Sequence, residues 1–339
     1  PAQMFLMGFL FAIFLGSLLL SLPIALKKDQ AISYLDALFT ATSAVCVTGL
    51  VVNDLGAVFS GFGQAIILSL IQIGGLGIMA FSILMIIFFN KKISQSESQV
   101  YQESFLTYNN SETLRSIKFI FKLTFFIEAV GALLLFVVWH QDFATLNEAV
   151  FVSVFHSISA FCNAGFSLFT NNLSGYVTNM GVTLVVSLLI ILGGLGFPVL
   201  FNLVNYNKDP IQFRLKLQTK IALGVTSLLI LFGTGMIFMG EFNHALQPFT
   251  LTEKVAISFF HSVSARTAGF NTIDLTHLLP GTTLVLICLM FVGASPGSTG
   301  GGIKTTTFGL LIIGFWSRVR LSSKIEVGGR TVAMENVLK

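Results

Sequence analysis

An all-α polytopic membrane protein, built from tandem span–pore helix–span repeats, is the fold class that this sequence predicts, on three observations. The chain of 339 residues is 54% hydrophobic and only 10% charged, with a mean hydropathy of +0.85, a balance far too apolar for a soluble protein of this size. Its apolar residues fall in runs of about twenty, the length that crosses a hydrocarbon core of roughly 30 Å. Between the runs of each pair lies a shorter matched segment, too polar to span and too apolar for a free loop, and these segments make the chain an internal repeat.

In order, the apolar runs cover 4–26, 65–89, 119–139, 182–204, 221–239 and an interrupted 282–316, and the shorter segments cover 34–44, 148–160 and 253–265. The division that follows is a first pore repeat at 1–90, a linker at 91–117, a second repeat at 118–206, a linker at 207–220, a third repeat at 221–317 and a linker at 318–339. Each short segment ends on a Ser-Ala pair, Ser43-Ala44, Ser159-Ala160 and Ser264-Ala265, and turns shortly onto a glycine, Gly49, Gly165 and Gly269. The second and third share Phe-His-Ser-x-Ser-Ala, which puts His156 and His261 at matching places, with Thr42 as the approximate counterpart in the first. The second span of each repeat is also related. Gly74-Gly-Leu-Gly77 begins 25 residues after Gly49, Gly193-Gly-Leu-Gly196 begins 28 after Gly165, and Gly293 stands 24 after Gly269. Gly293 opens a stretch, 293–307, in which five glycines, a proline and a lysine interrupt an apolar run. The expectation is one inner helix opened by this stretch while its two siblings are merely small-faced.

A span, a re-entrant half-helix, a loop with glycine and a second span form the unit of tetrameric cation channels, and the chemistry requires those parts. A cation entering a narrow pore exchanges its water for backbone carbonyls, and glycine permits the positive φ that aims them inward. A lone glycine would be an ordinary helix-crossing residue; three at matched places indicate filter loops, formed by Val47-Thr48-Gly49, Asn163-Ala164-Gly165 and Thr267-Ala268-Gly269, around a pseudo-fourfold axis. The expected ligands of the cation are backbone carbonyls near Gly49, Gly165 and Gly269, and one glycine per loop predicts a short filter of modest selectivity. Irregular backbone at membrane depth is tolerated only where protein or a water-filled cavity satisfies it, so 293–307 reads as a gate. Its candidate residues are Gly297, Ser298, Thr299, Gly300, Gly301, Gly302 and Lys304. The same stretch is no phosphate-binding loop, because Ile303 sits where the lysine should be and the flanks are apolar helices.

Charge sorts by loop. Of 19 Lys and Arg, 14 lie in 91–122, 208–220 and 318–339, which the positive-inside rule makes cytoplasmic together with the N-terminus. The intervening loops hold eight acids against three lysines, an outer face that would concentrate cations. The pI near 9.0 therefore indicates membrane topology and not nucleic-acid binding. Cys46, Cys162 and Cys288 have neither disulfide nor metal spacing. His156 and His261 read as hydrogen-bonding residues that fix the pore helices, Arg266 as tied to a carboxylate or to carbonyls behind the filter, and Glu128, costly alone in lipid, as facing protein. A start at Pro1 suggests a mature or truncated chain.

These loops, together with Gly-Ser-Thr-Gly-Gly-Gly-Ile-Lys-Thr inside the third inner helix, resemble the Trk/Ktr/HKT superfamily of potassium transporters, in particular its KtrB-type membrane subunits, over essentially the whole chain. The resemblance implies K+ as the transported ion and no organic cofactor in this chain. It further implies a bacterial plasma membrane with its lipid as surroundings, a homodimer, and a cytosolic nucleotide-binding regulatory subunit of the KtrA or TrkA type. It also implies four repeats, whereas three are present here, so a fourth pore loop is expected beyond Lys339. A secondary transporter with broken helices around a midplane site is the alternative reading; it predicts inverted repeats and substrate-binding carboxylates, whereas these repeats run parallel and offer backbone ligands.

Overall fold

Three short helices begin on one local device. Ser33, Thr145 and Thr250 each accept a hydrogen bond from the amide three residues on, at Asp36, Glu148 and Glu253, and in the first and third the acid's carboxylate closes a capping box. Such a cap satisfies amides that the first helical turn leaves unpaired and contributes about 1 kcal/mol.

The computed structural model describes residues 2–77, 110–208, 214–319, 325–327 and 330–332, and sets these capped helices in the middle of three successive units. Outer helix α1 (Ala2–Leu20), pore helix α2 (Tyr34–Val45), the short α3 (Leu55–Val58) and inner helix α4 (Gly61–Leu76) form the first. Outer α5 (Asn110–Trp139), pore α6 (Leu146–Phe161) and a two-part inner helix, α7 (Met180–Leu195) and α8 (Phe197–Lys208), form the second. Outer α9 (Leu217–Glu241), pore α10 (Leu251–Ser264) and the two halves α11 (Pro280–Phe291) and α12 (Thr305–Val319) form the third. A two-stranded antiparallel hairpin, β1 (Ile325–Val327) with β2 (Arg330–Val332), follows, so the all-α expectation holds for the membrane body and not for the segment expected as a plain linker. The expectations for 78–89 of the second apolar run, 91–109, 209–213 and most of 318–339 lie outside the described residues.

Small residues let the units close. Each outer helix packs most extensively on the pore helix of its own unit, α1 on α2, α5 on α6 and α9 on α10. A glycine marks the second and third crossings, where a Cβ at Gly131 or Gly233 would strike Ser157 or Ser262; in the first unit a Cβ at Gly16 would strike Leu70 of the inner helix and lie 3.4 Å from Ala41 of the pore helix. At the second and third crossings the pore-helix serine donates across the gap, Ser157 Oγ to Glu128 O at 2.7 Å and Ser262 Oγ to Ile230 O at 2.8 Å. Between units the rule is constant, each pore helix leaning on the inner helix before it, α6 on α4 and α10 on α7. A constant step of this kind winds successive units around one axis.

The segments Lys118–Trp139 and Leu217–Glu241 are each long and apolar enough to cross a membrane alone, and their exposed Leu133, Val137, Leu231 and Met239 suit a lipid surround. Trp139, Phe155, Phe161, Phe166 and Phe260 are fully buried. The second inner helix corrects the expectation that only the third is opened. It breaks at Gly196, whose φ is 86°, and its halves are bent by 98°. Gly77, at the same place in the first, also has positive φ, 83°, and caps α4. The Gly-Gly-Leu-Gly motif thus ends a helix, and its earlier glycines serve packing, since a Cβ on Gly74 or Gly193 would overlap the carbonyl oxygen of Val45 or Phe161.

Candidate ion-conduction site

Each pore helix runs directly into its glycine loop through a tight end. In the first two, Val47 and Asn163 adopt left-handed backbone, with the next amide bonding back to the serine of the Ser-Ala pair, Thr48 N to Ser43 O and Ala164 N to Ser159 O, both at 2.8 Å. This is the Schellman pattern of helix ends. The third loop has one residue fewer between serine and glycine, and the deficit is absorbed at the helix end, where Ala268 N reaches Ser264 O at 2.9 Å. The left-handed residues consequently keep their register: Val47 (φ 55°) and Gly49 (79°), Asn163 (55°) and Gly165 (71°), Thr267 (72°) and Gly269 (80°), each pair separated by one residue that is not left-handed. A backbone that alternates its handedness in this way turns successive carbonyls to one side. Val47 and Thr267 are β-branched, and holding each at positive φ costs about 1–2 kcal/mol, strain that persists only where the surroundings over-determine it.

The loops meet one another in chain order. A Cβ on Gly49 would overlap Ala164 O, and one on Gly165 would lie 2.6 Å from Ala268 O and 3.0 Å from Gly269 Cα. Above them lies a cavity of about 570 Å³ lined by Gly49, Gly165, Asp54, Asn172, Asn271 and Asp274. The Thr276 amide and hydroxyl hold the Asp274 carboxyl below the usual carboxylate range, so it is ionised at this mouth. A second cavity of about 350 Å³ occupies the side between the first and third loops, bounded by Val47, Thr48, Thr267, Gly269, Thr299 and Gly301.

Behind the loops, side chains fasten the backbone just past each glycine. Ser159 Oγ donates to Phe166 O at 2.7 Å and Ser264 Oγ to Phe270 O at 2.5 Å. The repeated Ser-Ala pair was the signal, although its spacing alone says nothing of what the hydroxyl reaches. In the first unit Ser43 Oγ is buried without a partner, so that loop is tied less firmly. The histidines add a second strap. Val152 O can only accept, so His156 Nδ1 donates to it at 2.8 Å and Nε2 accepts from Ser167 Oγ at 2.9 Å. His261 Nε2 pairs with Thr272 Oγ1 at 3.2 Å. The matched serines also correct the counterpart of these histidines, which is Thr40, three residues before Ser43, and not Thr42. Replacing Ser159 by alanine is expected to leave Phe166 O buried and unpaired and to lower stability by about 1–3 kcal/mol, read as a shift in the melting of the solubilised protein; Ser43→Ala, which frees no acceptor, should shift it far less.

The stretch opened at Gly293 is an ordered loop with closed ends. Val292 and Ile303 form a parallel bridge, Ala294 N donates to Gly301 O at 3.0 Å, Thr305 N to Ala294 O at 3.2 Å, and Ser295 and Thr305 hydroxyls pair at 2.7 Å. Its far side docks on the broken second inner helix: Ser295 N on Gly194 O at 2.9 Å, Thr299 N on Gly193 O at 3.3 Å, and Phe197 N on Gly297 O at 2.8 Å. Thr299 Oγ1 donates to Phe161 O, the end of pore helix α6, at 3.0 Å. The two breaks thereby satisfy each other's orphaned amides and carbonyls, which is what non-helical backbone among apolar helices requires. Gly300 sits against the glycine loops, where a Cβ would strike Thr267 Oγ1 and approach the Asn163 side-chain amide to 3.0 Å. Lys304 folds back onto its own loop, Nζ to Gly300 O at 2.9 Å, while Gly302 is at φ 72° and Ser298 Oγ bonds Ser295 O. Arg266 takes a carbonyl, Nη2 to Gly293 O at 3.0 Å, and among the described residues no carboxylate. Glu128, buried, faces protein: Gln72 Nε2 donates to its Oε2 at 3.1 Å from the first unit's inner helix.

The cation transport protein family TrkH matches residues 12–337 of the chain. The potassium/sodium uptake protein NtpJ of Enterococcus hirae is 38% identical over 340 residues, covering 100% of this chain and 74% of NtpJ. The Ktr system potassium uptake protein B of Bacillus subtilis is 37% identical over 341 residues, covering 100% and 75%. Among solved structures, the potassium transporter TrkH from Vibrio parahaemolyticus superposes with a TM-score of 0.68 at 20% identity, over 98% of this chain and 67% of that one, a likeness of fold. The matched family, two relatives of that length and identity, and the shared fold agree with the loops described above: the chain belongs to the TrkH family of cation transport proteins, similar to its KtrB-type subunits, and is an ion transporter and not an enzyme.

Proposed function

We propose that this protein takes up K+, with Na+ as the competing ion, through a constriction lined by the carbonyls of Val47-Thr48-Gly49, Asn163-Ala164-Gly165 and Thr267-Ala268-Gly269. The observation that carries the reading is the left-handed alternation repeated at the same register in three loops, bought at the strain of Val47 and Thr267. Cations collect in the outer cavity beside Asp54 and Asp274 and exchange water for carbonyls at the glycines. The side between Gly269 and Gly49 is where a fourth loop of the same design would complete the ring. The pore helices end at these loops, so the negative ends of their dipoles face the ion. Residues 293–307 act as the gate, Gly297 to Gly302 blocking the path under the filter and Lys304 adding a positive charge to the barrier.

The cargo is supported by the relatives' names, potassium and sodium for NtpJ and potassium for the Bacillus subtilis protein. The repeat limits at 1–90, 118–206 and 221–317 belong to the same proposal. So do a bacterial plasma membrane with the N-terminus and the basic linkers in the cytoplasm, a homodimer, and a regulatory subunit of the KtrA or TrkA type docked on those linkers. A midplane transporter with carboxylate ligands has less support, because the filter loops themselves contain no acid.

Exchanging Gly269 for serine tests the filter. A serine at φ 80° is strained by about 1–2 kcal/mol, while its Cβ meets only Gly165 Cα at 3.4 Å, so the loop should survive with its carbonyl re-aimed. K+ over Na+ preference in flux assays is expected to fall by about tenfold, the equivalent of roughly 1.4 kcal/mol. Unchanged preference would remove Gly269 from the filter.

A further inference from the structure

Two neighbouring residues of the third filter loop hold the gate loop at two points of its neck. Arg266 is 7% exposed, and its Nη2 donates to Gly293 O at 3.0 Å, with Thr226 Oγ1 of the outer helix at 3.5 Å. Its Nε has no partner, and among the described residues no carboxylate lies within ion-pair distance of it. Thr267 Oγ1, one residue on, accepts from Gly301 N at 3.2 Å. Gly293 and Gly301 are the two strands of the loop's neck, joined to each other by Ala294 N on Gly301 O and by Gly293 N on Ile303 O. Arg266 and Thr267 therefore grip the neck from the filter side, one as donor and one as acceptor.

The chemistry of a buried guanidinium makes this grip matter. A cation without a carboxylate depends on the few carbonyls and hydroxyls that reach it, and the shortest bond Arg266 makes is to Gly293 O, an atom of the gate loop itself. If the neck moves, Arg266 loses that acceptor in a site with no replacement for it. If Arg266 moves, the backbone of Thr267 moves with it, because the two are adjacent and Thr267 is held at φ 72°. We propose that Arg266 is a positioning residue that latches the gate loop to the third filter loop, so that loop closure and the carbonyl geometry of Thr267 to Gly269 change together. This rests on the gate reading given above and adds to it the residue through which gate and filter are coupled.

The test is a double-mutant cycle on the full-length transporter with its regulatory partner present, reading K+ flux and K+ over Na+ preference in cells or proteoliposomes. Arg266→Gln in the intact loop should raise K+ flux by about fivefold or more and lower K+ over Na+ preference. Placed on a deletion of residues 298–302, it should change flux by less than about twofold, because Arg266 can still reach Gly293 O but no blocking segment is left for that bond to hold in place. Arg266→Lys, which keeps the charge and one donor, should restore most of the wild-type behaviour, and it replaces the glutamine variant in the cycle should that one not assemble. Equal effects of the substitution with and without the loop would overturn the latch and leave a purely local support of the filter. A loop deletion that raises flux while Arg266→Gln leaves it unchanged overturns the latch but keeps the gate. A deletion that fails to raise flux overturns the gate reading and the latch together.

Discussion

Deleting Ser298 to Gly302 is expected to raise K+ flux by about tenfold and to weaken its control by the regulatory subunit. The deleted residues carry the contact of Gly300 with Thr267 and Asn163, the bond of Thr299 Oγ1 to Phe161 O, and the acceptor that holds Lys304. The deletion also takes Gly301 with its bonds to Ala294 and Thr267, but the neck contacts between Val292 and Ile303 and between Ser295 and Thr305 lie outside it, so the inner helix should still enter and leave the break at the same points. Where a closed state is favoured by about ten to one, removing the element that favours it raises the open fraction by nearly that factor and no more. Flux of labelled K+ measured with and without the partner reads both effects. A deletion that folds and lowers flux would contradict the assignment of this loop as a barrier.

Gly165→Ala should be far more damaging than Gly269→Ser, reducing K+ uptake by about a hundredfold. Its φ of 71° already strains any L-residue, by about 1–2 kcal/mol. In addition, the new Cβ would lie 2.6 Å from Ala268 O and 3.0 Å from Gly269 Cα. Both are backbone atoms of the neighbouring loop, which cannot rotate away as a side chain would, so two carbonyl rows are displaced at once. Gly269→Ser lacks that collision and should alter selectivity more than rate. Uptake assays of the two variants in a K+-uptake-deficient host, with surface expression matched, separate these outcomes; equal loss in both would show that crowding between loops is irrelevant.

The repeat, the loop glycines and the opened third inner helix were legible in the sequence because each leaves a composition signal at a fixed spacing. The hydroxyls of Ser159 and Ser264 were visible as a shared pair but not as straps, since their acceptors lie past the turn and depend on how the chain returns. Asp36 and Glu253 carry a second role beside their charge. Counted among acids that would charge the outer face, they close capping boxes on their own helices, which the Ser/Thr-x-x-Asp/Glu spacing already encodes.

Sequence by itself determined which segments are apolar, where glycine permits left-handed backbone, and which residues lack side chains, because those properties are local. Only the tertiary structure decided that the second inner helix is also broken, that its break receives the loop of the third, and that Arg266 spends its donor on Gly293 O. The physical reason is that an unpaired amide or carbonyl among apolar helices must find a partner wherever the fold brings one. Here the partners of one interrupted helix are the exposed groups of another, roughly a hundred residues away in the chain, and no local pattern records that meeting.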